Sequence, residues 1–188
     1  MNDRKRIVIV GGGPAGLMAA EVAARSGCDV QLFDAMPSVG RKFLMAGKGG
    51  MNITHAEPFA DFCARYGQRR DRIVPLLETF GPDAVRAWMH GLGIESFVGS
   101  SGRVFPVGMK AAPLLRTWLH RLRESGVGFH VRHRWCGLER LAEVLGHLDA
   151  EELGDALDHV DTAGEVAVHE ERVQHHADHD GGAGGVGP

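Results

Sequence analysis

Gly11, Gly13 and Gly16 have the GxGxxG spacing within "RIVIVGGGPAGLMAAEVAARSGCDVQLFDA". In such a turn the first glycine permits a tight bend. The second lets a pyrophosphate approach the backbone, and the third brings helix and strand together. Pro14 fits the first helical turn, where its missing N–H costs little. Ala15 and Gly16 follow, so free amides at the helix start face any phosphate that binds. Asp34 lies 18 residues after Gly16, near the spacing at which a carboxylate reaches an adenosine ribose hydroxyl. An acid there argues against a free 2'-phosphate, and it does not separate FAD from NAD. An αβ unit that turns tightly and binds nothing is the bland alternative.

These residues need particular elements to hold them. Ile7 to Val10 is a continuous apolar run, which predicts a central parallel strand buried on both faces. Leu17, Ala20, Val22, Ala23 and Ala24 fit a helix packed on a sheet, with Gly27 ending it. Asp29 to Phe33 reads as a second strand. "VGRKFLMAGKGGMNITH" then reads as a second loop on the phosphate side. Arg41 or Lys42 could balance pyrophosphate charge, Arg41 with the better donor fork. Gly40, Gly47, Gly49 and Gly50 supply backbone freedom, and Gly49 and Gly50 let main chain pass close to a flat ring or a phosphate. Asn52 and Thr54 offer side-chain hydrogen bonds. For Lys48 a solvated surface position is an equal alternative. No GK[ST] ends the glycines, so a nucleoside-triphosphate loop is excluded.

The combination of "RIVIVGGGPAGLMAA", an acid, "GRKFLMAGKGGMNITH" and "GRVFPVGMKAAPLL" resembles one family of bacterial FAD-dependent flavoproteins. The family is labelled aminoacetone-oxidase-like, or NAD(P)/FAD-dependent oxidoreductase. The resemblance spans Arg6 to Trp135. It implies that Gly11, Gly13 and Gly16 hold the FAD pyrophosphate and that Asp34, where many relatives have Glu, holds the adenosine ribose. Arg41 and Lys42 match a basic pair beside the cofactor. Many relatives have a cysteine where this chain has Met51, so no thiol role transfers. The implied fold class is α/β: a Rossmann-like FAD-binding βαβ unit with an additional helical and small β segment, incomplete relative to the family. Residues 1–56 are the expected dinucleotide-binding core, 57–135 a helical segment with a hairpin and a strand–helix–strand return, and 136–188 an atypical tail.

In the middle segment, Phe59, Phe62, Cys63 and Tyr66 share one helical face, and Ile73, Leu76, Leu77 and Phe80 another. Both read as core, as do Val85, Trp88, Met89 and Leu92. Ser100–Ser101–Gly102 predicts a hairpin turn, and a helix follows from Lys110 to Glu124. Its apolar side is Ala111, Leu114, Leu115, Trp118, Leu119 and Leu122. Arg103 and Lys110 are as suited to ligand binding as to capping and pairing, and no catalytic residue stands out.

Charge divides the chain. Residues 1–135 hold 19 Lys and Arg against 11 Asp and Glu, a net +8, whereas residues 136–188 hold 2 against 13, a net −11. The tail has no aromatic residue and no lysine, and it contains six of the eleven histidines. The abrupt switch leads to the expectation of a shifted reading frame or recombination scar. Leu138, Leu141, Leu145 and Leu148 form one apolar stripe, and the case for order is poor after Thr162. His175 and His179 at i,i+4 offer weak metal ligation, and compositional accident is the stronger reading. Front-half basicity without a recognised module does not indicate nucleic-acid binding. No apolar run approaches the ~20 residues of a membrane helix. Three cysteines without paired spacing point to a reducing cytoplasm. The reading is therefore an FAD-binding oxidoreductase, or its N-terminal piece, acting on a small-molecule electron donor or substrate. The alternatives are an NAD-dependent dehydrogenase and a non-catalytic nucleotide-binding remnant.

Overall fold

The structure is a computed structural model that describes residues 4–46 and 49–137. The first strand, β1, spans Arg6–Val10 and leads through the glycine turn into α1, Pro14–Arg25. The chain reverses at Gly27, whose φ of +81° suits glycine, and enters β2, Asp29–Asp34. A short helix follows, α2, Arg41–Ala46, and then β3, Thr54–His55. Helices α3, Phe59–Ala64, α4, Arg70–Thr79, and α5, Pro82–His90, lead to the hairpin strands β4, Ser96–Val98, and β5, Arg103–Pro106. The long helix α6, Ala111–Glu124, returns the chain to β6, Gly128–Val131.

Two sheets result. One is parallel in the order β1-β2-β6, with Val10 beside Phe33 and Phe33 beside His130. The other is antiparallel in the order β3-β5-β4. Residues Met1–His133 form one compact unit. The expected hairpin, the long helix and the final strand all form.

The core lies between the parallel sheet and its helices. Val30 and Leu32 of β2 share one buried cluster with Leu17 and Ala20 of α1 and with Leu114, Leu115, Trp118 and Leu122 of α6. Each fully buried side chain of this size contributes roughly 1.5–3 kcal/mol of transfer free energy. Phe43 of α2 joins the cluster edge-on to Trp118, with centroids 6.0 Å apart.

Three expectations need correction. The central strand is β2, with Val30 and Leu32 buried on one face and Gln31 and Phe33 half-buried on the other, whereas Val8 and Val10 of β1 are 42% and 52% exposed. An apolar run specifies a strand without specifying its neighbours, and among the described residues only β2 pairs with β1. Residues Arg41–Ala46 are helical, because RKFLMA is a run of helix-compatible residues and Phe43 has a core site to fill. The two expected core faces of α3 and α4 are only partly covered: Cys63 is buried and Ile73 and Leu77 are half-buried, whereas Phe59, Tyr66, Leu76 and Phe80 are exposed and no residue of α4 is fully buried. Helical periodicity marks a face, and only tertiary packing supplies its partner.

One buried charge ties these layers together. Glu21 of α1 is 3% exposed. Its Oε2 accepts the indole N–H of Trp118 at 2.7 Å and that of Trp88 at 3.0 Å. Its Oε1 pairs with Arg25 and with Arg121, the latter at 2.7 Å. The two indoles also meet edge-on, 4.8 Å between centroids. Breaking one side of a buried ion pair typically costs about 3–5 kcal/mol. Glu21→Ala should therefore lower the unfolding free energy by about 3 kcal/mol in urea titration, with Glu21→Gln losing less because its amide oxygen still accepts from an indole.

Candidate functional site

The turn after β1 is built from backbone polar groups. Gly11 has φ +102° and donates its N–H to the Phe33 carbonyl at 2.7 Å, which fastens the turn to β2. Gly12 is buried, donates to Oδ2 of Asp34 at 2.6 Å, and accepts the Gly40 N–H at 2.7 Å. A Cβ at Gly12 would overlap the Val39 side chain, and one at Gly16 would overlap the Gly11 carbonyl. Gly13 differs: its backbone is extended, at φ −77° and ψ −179°, and a Cβ would meet nothing within 4 Å. Gly13 is the N-cap of α1, with no side-chain cap and no acid in the first turn. Pro14 and Ala15 open the helix and are exposed. The first-turn amides and the positive end of the helix dipole therefore meet open space at Gly13.

Asp34 closes the other side. Its Oδ1 accepts the Met36 N–H at 2.7 Å while Oδ2 holds Gly12. Each oxygen keeps one unused acceptor direction in these contacts. The Asp34 carbonyl accepts the His133 N–H at 3.0 Å, so the segment after β6 is fixed against the end of β2. There His130 stacks on Phe33 at 4.4 Å, and His133 approaches both rings edge-on.

Gly40, with φ +72°, brings the start of α2 against the turn and leaves no room for a side chain beside Leu115. Arg41 and Lys42 follow it, both exposed. Gly49, Gly50 and Asn52 lie in a different setting. Met51 donates to the Met109 carbonyl and Ile53 to that of Val104, each at 2.9 Å, so this stretch runs along β5. Gly50, at φ +103°, abuts Met109. Gly47 and Lys48 lie outside the described residues, as do His175, His179 and the leucine stripe from Leu138.

Sequence reasoning missed Gly12, Val39 and Glu21. The middle glycine of GGG was the available signal for Gly12. Nothing local marks Glu21, because its partners are 67 and 97 residues away. Two carboxyls elsewhere are held below the usual range. Asp29 is lowered chiefly by its hydrogen bond from Arg6, then by Gln31, and Glu57 chiefly by its hydrogen bond from Arg65. Among the described residues no group of three or more potential metal ligands gathers, and no helix is long and apolar enough to cross a membrane.

A parallel βαβ unit with a glycine-built first turn, an uncapped helix start and an acid ending its second strand is a nucleotide-binding Rossmann fold. Residues 5–158 match the HI0933-like protein Rossmann domain, and the chain belongs to this family of FAD-dependent oxidoreductase folds. The match continues past Trp135, so the family's pattern extends 23 residues beyond the limit read from the sequence. The chain is 32% identical over 124 residues to the 3-dehydro-bile acid delta(4,6)-reductase of Clostridium scindens, covering 65% of this chain and 30% of that protein. It is 29% identical over 160 residues to the D-amino acid dehydrogenase of Dechloromonas aromatica, covering 81% of this chain and 36% of that one. It thus spans about a third of the length of these relatives. The crystal structure of Thermovibrio ammonificans THI4 aligns with 68% of this chain and 38% of that one, at 20% identity and a TM-score of 0.41.

The packing around the glycines gives a graded expectation. Gly16→Ala and Gly12→Ala should lower the midpoint of thermal unfolding strongly, because each Cβ meets a fixed neighbour. Gly13→Ala should leave it within a few degrees of the parent.

Proposed function

We propose that this chain is the FAD-binding end of an oxidoreductase and holds FAD non-covalently, with its adenosine diphosphate portion on the glycine turn. The observation that supports this best is the setting of Gly13. The backbone there is open on the side where a Cβ would stand, the helix behind it has no cap, and a carboxylate stands at the end of the adjacent strand. A pyrophosphate would take the place of the missing cap on the α1 amides. Asp34 would accept from the ribose hydroxyls with the acceptor directions left free by Gly12 and Met36. Arg41 and Lys42, on the exposed start of α2, would offset phosphate charge. Gly49, Gly50 and Asn52 would border the more distant part of the cofactor.

Bound flavin would supply the hydride or electron transfer, and the protein would bind and orient it. The electron donor is a small organic molecule in this reading. The relatives' names, which cite a bile acid and a D-amino acid, set its breadth. A second reading is favoured by the half-exposed Val8 and Val10 on the sheet that ends at the site. With that face open, the chain alone binds nucleotide without turnover.

The test is reconstitution with FAD, removal of free flavin by gel filtration, and a visible spectrum of the protein fraction. The two visible bands of oxidised flavin should travel with the parent chain and be lost in Gly13→Ala, which keeps the parent's unfolding midpoint. Retention of NAD with no retention of FAD, or undiminished flavin in Gly13→Ala, would contradict the assignment.

A further inference from the structure

The antiparallel sheet bears a surface that the nucleotide site does not use. Phe97 of β4 and Phe105 of β5 are direct cross-strand partners, and their rings stack with centroids 5.6 Å apart at 24°. Phe97 is 41% exposed and Phe105 is half-buried, so the pair presents chiefly the Phe97 ring to solvent. Side chains alternate along a strand, which puts Arg103 on the same face as Phe105, two residues earlier. Arg103 is exposed. Opposite it stands Gly99, whose N–H donates to the Arg103 carbonyl at 2.8 Å. On the β4 side no side chain stands beside the guanidinium; on the β3 side its direct partner is His55, whose ring is engaged with the Ser101 carbonyl and Glu57. At the other end of the strip lie Gly50 and Met109, and Met109 is 41% exposed. The surface is a stacked ring pair with Phe97 outermost, flanked by Gly99, Gly50 and Met109, with a guanidinium at one end.

The charge of Arg103 is uncompensated. Glu57, next to the strand that pairs with Arg103, is taken by Arg65 and approached by His55. None of the ion pairs among the described residues involves Arg103. A guanidinium presents a planar fork that matches a carboxylate in bidentate fashion. The outer ring of a stacked phenyl pair takes a further planar ring by offset or edge-to-face contact. Ring and fork belong to residues roughly 7 Å apart along the strand, which a short side arm on a ring can bridge.

We propose that this strip binds a small planar carboxylate, its ring against Phe97 and Phe105 and its carboxylate on Arg103. The proposal goes beyond the nucleotide assignment, and its binding step is independent of flavin. The two can therefore fail separately.

The experiment is calorimetric titration of the full chain, without flavin, using cinnamate and its neutral isostere cinnamamide. Cinnamate should bind saturably at one site, and cinnamamide about tenfold more weakly, for loss of a charge-assisted pair. Arg103→Gln should weaken cinnamate about tenfold and abolish the preference for acid over amide, while Arg103→Lys keeps part of it. Phe97→Ser should weaken both ligands alike. Equal affinity for acid and amide, undiminished cinnamate binding in Arg103→Gln, or no saturable binding by the parent chain would each overturn the proposal. The last result would indicate a face that other polypeptide covers. If a variant unfolds, the acid-against-amide comparison on the parent chain still decides.

Discussion

The Glu21 carboxylate sits among two indole N–H groups and two guanidinium groups, and it is 3% exposed. Desolvating a carboxylate costs several kcal/mol unless its partners are well placed. That requirement fixes three helices at once. Trp88 must stand on α5, Trp118 and Arg121 on α6, and all must converge on the middle of α1. Glu21 is eight residues from Gly13, about two helical turns. The axis and rotation of α1, and hence the direction in which its amide end points, are set by this contact together with the apolar packing of Leu17 and Ala20. The helical segment thereby positions the glycine turn without touching it.

At the turn the constraint is steric and polar together. Gly12 has no space for a side chain, and both of its backbone groups are taken, one by Asp34 and one by Gly40. Asp34 has two duties in consequence. It braces the turn through Gly12 and Met36, and each carboxylate oxygen keeps acceptor capacity beyond those bonds. Aspartate is one methylene shorter than the Glu that the resemblance would lead one to expect, and its carboxylate lies close enough to the turn to be held by the Gly12 amide at 2.6 Å. In the proposed complex a ribose on this group would approach the turn closely, and a side chain at position 13 would stand in the open space beside Gly13 that the phosphates would occupy.

Much of this was legible in the sequence because it is local. Strand, glycine turn, helix, strand and acid follow one another within 29 residues, and each is fixed by backbone chemistry acting over a few positions. The hairpin at Ser100–Gly102 and the buried stripe of α6 were readable for the same reason. What stayed hidden was long-range. The exposure of Val8 and Val10 depends on which strands flank β1, and the run IVIV is compatible with a central or an edge position. The face of Leu76 and Phe80 looked like core because its period is helical, yet the packing half-buries only Ile73 and Leu77 and leaves Leu76 and Phe80 exposed. The Arg41–Ala46 helix was obscured by the glycines around it, although Phe43 had a core site waiting beside Trp118. Nothing in the sequence around Glu21 marks it, and only the fold brings two tryptophans to it.

The central claim is that the glycine turn, the start of α1 and Asp34 form a prebuilt site for a nucleoside diphosphate. Isothermal titration of the chain with ADP and, separately, with FMN tests it most directly. Binding of ADP, competitive with FAD, together with no binding of FMN, is the result this account requires. Binding of FMN with none of ADP would contradict it, because the affinity would then reside on the flavin side and the turn would be a packing device alone.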